Sequence, residues 1–277
     1  MKSGRMLSRH IHSLAMALVV STLGLILSGA AQLGRAVGEP HRGLSGVVAL
    51  LAILTTIAVW NQPRRWLRPL AAGSTIVVFL LGGFGFLMKN SPWAIVVHAC
   101  LSHVLFAGTV ALLVAASPVW SLPPELTDDT GSPSLRTLGM VVPAAVFLQI
   151  FLGALYRHVN LPVWPHLAGS LIVGCLLLYT GIVVLESHGE HTALRSAAQV
   201  LLVITVLQIV FGLGAFLGRV MVADGMPPEW WSILARTLHV ATGALTLGAA
   251  VAYAMQVNYH VHPGPERHLT TEKSVVA

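Results

Sequence analysis

The feature that most constrains this chain is a succession of eight long apolar stretches: Ser13 to Gly34, His41 to Trp60, Leu70 to Met88, Trp93 to Ala116, Leu138 to Leu155, Pro165 to Leu185, Ala197 to Gly218 and Trp230 to Gln256. A helix needs roughly 20 apolar residues to cross a bilayer. In lipid every backbone N–H and C=O must be satisfied within its own segment, so each stretch is expected to be a transmembrane α-helix. With 55% hydrophobic side chains, 9% charged ones and a mean hydropathy of +0.78, the 277-residue chain is far more apolar than a soluble domain. The expected fold is an all-α polytopic membrane protein of eight helices.

Lys and Arg concentrate on the side of a membrane protein that is not translocated. Lys2, Arg5, Arg9 and the loop holding Arg64, Arg65 and Arg68 therefore mark one face as cytoplasmic, and an even number of spans puts both termini there. Arg136, Arg195, Arg267 and Lys273 fall on the same side. The expectation is a multi-pass protein of the cell membrane with cytoplasmic termini. The first stretch follows a basic start, yet it is longer than a signal-peptide core and lacks a small-residue cleavage site, so it reads as a retained helix. A net charge of +6 and a pI near 9.9 would suit nucleic acid, but the basic residues flank spans and form no soluble patch. Membrane lipid is the expected surrounding. Cys100 and Cys175 both fall inside spans, which leaves no loop disulfide and no redox pair.

The longest polar interruption, SPVWSLPPELTDDTGSPSLRT, lies between the fourth and fifth stretches and reads as a linker. It divides the chain into an N-terminal half (1–117), a cytoplasmic linker (118–136) and a C-terminal half (137–277). Each half has four helices and crosses in the same direction, so matching features should recur as in parallel repeats. Gly29, Ala30 and Arg35 at the end of the first helix match Gly153, Ala154 and Arg157 at the end of the fifth. The next helix begins with His41 in one half and His166 in the other, and the last carries His98 or His239. Two pseudo-symmetric four-helix bundles are expected.

An intramembrane histidine normally has a partner and is a functional candidate. His41, His98, His166 and His239 lie on helices two, four, six and eight, which all run inward from one surface, so they sit at comparable depth. Two pairs, one per half, would give two sites where a flat iron porphyrin is clamped between imidazoles. The residue four positions on, which shares the helix face, is small in each case: Ser45, Ser102, Ser170 and Gly243. Arg35, Arg42, Arg157, Arg219 and Arg236 lie near the same ends, where they read either as partners for porphyrin propionates or as snorkelling interfacial residues. His103 is about 140° around the helix from His98 and reads as structural or pocket-lining. His10, His12, His188, His191, His260, His262 and His268 fall in cytoplasmic segments and read as solvated; His158, beside Arg157, stays open. Zinc is the competing metal, but the cysteines are not grouped with histidines as a tetrahedral site requires. A transporter with a midplane polar site fits less well, because no pair of broken helices is evident.

Across nearly its whole length the chain resembles the heme A synthase family, through EPHRGLSG, VVHACLS, LQIFLGALYRHV, WPHLAGS and RTLHVATGALTLG. The resemblance implies an oxidoreductase that converts the ring methyl of haem O to the formyl of haem A for terminal oxidases. It implies haem b as cofactor on His166 and His239, with Arg42, Arg157 and Arg236 binding the porphyrins, and haem O as substrate at His41 and His98. Haem O synthase, terminal oxidase assembly factors and an unidentified electron donor are the implied partners. It also implies an acidic residue assisting the chemistry just before the first histidine, here Glu39. Two departures stand out. The family usually has Glu three residues before that histidine, whereas Glu39 precedes His41 by two, a rotation of about 100° on a helix. Near a helix N-terminus Glu39 also favours the helix dipole, and both roles stay open. Many members have a cysteine pair in an extended first outer loop, but the corresponding AQLGRAVGEPHR is short and has none. A non-catalytic di-haem electron-transfer or haem-binding protein would use the same four histidines.

Overall fold

The computed structural model describes residues 2–31, 38–60, 62–87, 91–129, 131–221 and 230–262, excluding the side chains of 2–9, 38, 39 and 121. Eight helices account for nearly all of it: α1 (Lys2–Ala31), α2 (Gly38–Trp60), α3 (Leu67–Leu87), α4 (Pro92–Ala116), α5 (Leu135–His158), α6 (Val163–His188), α7 (Thr192–Met221) and α8 (Trp230–His260). All eight are long and apolar enough to cross a membrane, and the chain is a multi-pass membrane protein. α5, α6 and α7 extend beyond their apolar stretches at both ends, and α8 at its C-terminal end. α5 begins at Leu135 because Ser134 accepts the Thr137 N–H at 3.1 Å and Asp129 accepts the Leu135 N–H, so the first turn is capped by oxygen atoms.

α1 packs on α2, α2 on α3, α3 on α4 and α4 back on α1, and the same ring is closed by α5, α6, α7 and α8. The two rings meet where α4 and α1 pack on α8 and α4 packs on α5. Burial follows that plan: 56% of the span is buried in α4 and in α8, against 11% in α7. α8 reaches this central place through its small residues, which let backbones approach closely. A Cβ on Gly248 would lie 2.9 Å from Phe106 Cε1 and 3.1 Å from Val110 Cγ2, so the α4 side chains occupy the space a larger residue would need. Conversely, Leu171, Ile172, Val203 and Val220 on the outer surfaces of α6 and α7 are exposed, as lipid-facing positions require.

At the bundle end that carries His188 and His260 the linker is tied down. Residues 118–121 form a short 3-10 turn, and Thr127 pairs with the main chain of α8, accepting from His262 N and donating to His260 O. The Glu125 carbonyl receives two imidazoles, His191 Nε2 at 3.0 Å and His260 Nδ1 at 2.9 Å. These two histidines are buried, contrary to the solvated reading, because the linker folds over them. His10 and His262 are exposed as expected, while His12 and His188 are partly covered. His268 and the basic residues Arg35, Arg267 and Lys273 lie outside the described residues. Cys100 is buried, Cys175 exposed, and both are free thiols within helices.

Candidate functional site

Each of the four histidines stands near the start of an even-numbered helix, and each leans on a glycine of the helix before it. Alternating helix direction therefore brings all four to one end of the bundle. His41 lies against Gly29 of α1, His98 against Gly85 of α3, His166 against Gly153 of α5 and His239 against Gly212 of α7. The contact is tightest in the second ring: a Cβ on Gly153 would sit 2.9 Å from His166 Cε1, and one on Gly212 would sit 2.9 Å from His239 Cε1. The distances are 3.2 Å at Gly29 and 3.8 Å at Gly85.

A second regularity accompanies the first. Each imidazole faces the main-chain carbonyl four residues before its glycine, namely Leu25, Leu81, Gln149 and Gln208. At His98 and His239 the Nδ1 is buried and has no hydrogen-bond partner among the described residues. His41 Nδ1 also meets Ser28 Oγ at 2.9 Å, and His166 Nδ1 lies 3.0 Å from the Gln149 amide, which donates to the His166 carbonyl at 2.8 Å. The Nδ1 edge is thus occupied by the preceding helix. An imidazole whose Nδ1–H donates to such a carbonyl is held in place and keeps Nε2 free for a metal.

His166 and His239 face each other with ring centroids 6.3 Å apart and planes at 83°. With a metal–nitrogen bond of about 2 Å and about 1 Å from nitrogen to ring centre, imidazoles on opposite sides of one metal place their centroids about 6 Å apart. The observed pair has that spacing without rearrangement. Tyr156 lies parallel to His166 at 6.5 Å. His41 and His98 stand within electrostatic reach of each other in the first ring. Among the described residues no group of three or more His, Cys, Asp or Glu converges on one point, so the donors on offer are imidazole pairs.

Cations gather around the second pair. Arg157, in the last turn of α5, lies within electrostatic range of Arg236 on α8, two like charges that an anion would reconcile. Arg236 donates from Nε to the Ser232 carbonyl at 3.1 Å, while its Nη2 is buried with no partner among the described residues. Arg42 is exposed on α2 next to His41, and Arg219 is in the last turn of α7. Glu39 is on the first turn of α2, but its side chain lies outside the described residues.

Sequence reasoning missed the glycines as packing surfaces, the carbonyls opposite the rings, and Gln149 and Gln208. Only Gln149 left a signal, as the first residue of the Gln-x-x-Leu-Gly-Ala-x-x-Arg segment. The space beside Gly243 was read as room for a flat ring. It is filled by Gln208, whose Nε2 lies 3.5 Å from a Cβ built there, and by His103, whose Nε2 lies 3.9 Å away. Gln208 also accepts a hydrogen bond from Thr242 Oγ1. The small residues at the other three positions bond backward to their own helix, Ser45 to Arg42, Ser102 to His98 and Ser170 to Leu167.

Fold and site together define a polytopic all-α membrane protein with intramembrane imidazoles on the opposite helices of each four-helix ring. The chain is similar to curated heme A synthases: it is 21% identical over 199 residues to the one from Staphylococcus haemolyticus, covering 62% of this chain and 65% of that protein. It is 19% identical over 201 residues to the one from Staphylococcus epidermidis, covering 62% and 66%. The matched part therefore spans just under two thirds of these relatives' length. No protein-family profile matches the chain.

Proposed function

We propose that this protein is a haem-dependent membrane oxidoreductase of the heme A synthase type, converting the ring methyl of haem O to the formyl of haem A. The observation that carries the reading is the pair His166 and His239, whose ring centroids, 6.3 Å apart, are spaced so that both imidazoles would hold one iron. The buried, unpartnered Nη2 of Arg236 beside Arg157 supplies a second, independent fit, because porphyrin propionates are anions. The C-terminal half is the resident haem b site. When bound, haem b supplies one-electron redox chemistry, which the protein's side chains lack.

The chain's own residues do the rest. Gly153 and Gly212 admit the two imidazoles, and the carbonyls of Gln149 and Gln208 aim them. Arg157 and Arg236 would hold the propionates. The N-terminal half would take haem O, held by His41 and His98. Its histidines are less tightly packed, with built Cβ atoms 3.2 Å from His41 at Gly29 and 3.8 Å from His98 at Gly85, against 2.9 Å at both glycines of the second ring. A site that must admit and release a farnesylated porphyrin needs looser packing than one that holds a resident cofactor.

The test is conversion. Full-length protein purified with its haem and given haem O, reductant and oxygen should yield haem A, and His41→Ala should abolish the yield while keeping the bound haem. Protein that binds two bis-histidine haems and converts none is instead the non-catalytic carrier.

A further inference from the structure

We infer that His103 is a positioning residue that couples the two porphyrin sites, so that filling one changes the other. The inference rests on the haem reading above, but concerns a residue that reading does not use. His103 is 6% exposed, at the contact between α4 of the first ring and α8 of the second. Its Nδ1 is 2.8 Å from the carbonyl of Ala99, the residue after His98. Its other side faces α8, with Nε2 3.9 Å from a Cβ built on Gly243, and the ring also meets the main chain of Val240, the residue after His239. One buried side chain thus joins the backbone immediately following an axial candidate of each half.

The chemistry of the ring makes this more than a spacer. Both neighbours are carbonyls, and a neutral imidazole carries one N–H, so it donates to Ala99 or to Val240 but not to both. Two tautomers follow, each tied to one half. Coupling between sites needs an element with two arrangements that both sites bias, and this ring provides it. A porphyrin that pulls His98 and the adjoining turn of α4 shifts the preference of His103, and the shift is felt one residue from His239. Gln208 lies on the same spot: it accepts from Thr242, its amide approaches Gly243, and its carbonyl faces His239. Gln208 and His103 therefore meet the same glycine of α8, Gly243.

The experiment uses full-length protein carrying its C-terminal haem, titrated with the zinc form of the substrate porphyrin. Zinc porphyrin is silent in electron paramagnetic resonance, so the low-spin iron signal reports the C-terminal site alone. In the wild type, filling the N-terminal half should move that signal, and removing the C-terminal haem should change zinc-porphyrin affinity by about fivefold or more, the lower end of ordinary site coupling. His103→Leu should bind both porphyrins with the signal fixed and the affinity ratio near one. His103→Gln, which retains a donor but no second tautomer, should behave the same and serves if the leucine variant folds poorly. A wild-type signal indifferent to the zinc porphyrin overturns the inference, as does coupling that survives in either loaded variant. Absence of haem from the wild-type C-terminal half would instead overturn the functional proposal.

Discussion

At the scale of single residues, the four histidines were legible because an imidazole is costly in lipid and each falls in the first third of an even-numbered helix. Their supports were not. Gly153 and Gly212 belong to other helices than the rings they receive, and no periodicity along one helix reveals a pairing between two. The glycines give a graded expectation. In Gly153→Ala or Gly212→Ala the new methyl would stand 2.9 Å from an imidazole carbon, closer than packed atoms come, so the ring must move and the C-terminal haem should be lost or turn high-spin. Gly85→Ala, at 3.8 Å from His98, makes an ordinary contact and should leave both sites intact, as haem extraction and absorption spectra would report. The arginines are a separate matter. Arg236→Leu removes a charge-assisted partner worth about 2 kcal/mol, which corresponds to roughly thirtyfold weaker haem retention in a competition with apomyoglobin. If the arginine only snorkels, retention will not change.

The helices themselves were almost fully readable, since eight apolar stretches of membrane-spanning length leave few alternatives. What the stretches showed only in part was their rank. α4 looks like the rest in composition while α8 is the least apolar of the eight, and the two form the centre, α8 through small residues such as Gly248 and Ala250. Gly248→Leu would drive a side chain into Phe106 and Val110 and should lower the thermal midpoint by an amount equivalent to about 1–3 kcal/mol, measured in detergent. The linker was the least legible element. Its prolines and acids announce an interruption, but they do not say that His191 and His260 will be buried beneath it. Replacing His191 with Ala removes a donor to the Glu125 carbonyl and should cost roughly 1–3 kcal/mol of stability while leaving haem content unchanged, because the site is at the opposite end of the bundle. Loss of haem in that variant would show that the two ends are not independent.

For the whole molecule, the packing gives the repeat a physical purpose. Two rings of four helices each present an imidazole pair, and the glycine and carbonyl devices recur at all four histidines, so one solution to holding a ring has been used repeatedly. The rings are not equivalent. The second has close-packed glycines, two polar residues carrying the orienting carbonyls and a paired set of arginines. The first has leucines in place of those glutamines and looser contacts at its glycines, 3.2 Å at Gly29 and 3.8 Å at Gly85. A tight site beside a loose one is the division of labour that a resident haem and a transient porphyrin substrate demand. The most direct measurement is haem content per chain, with the reduced spectrum, for purified wild type and for each of His41→Ala, His98→Ala, His166→Ala and His239→Ala. The account expects either substitution in the second pair to abolish the tightly held low-spin haem, and either in the first pair to spare it. Wild-type haem content in both His166→Ala and His239→Ala would contradict it.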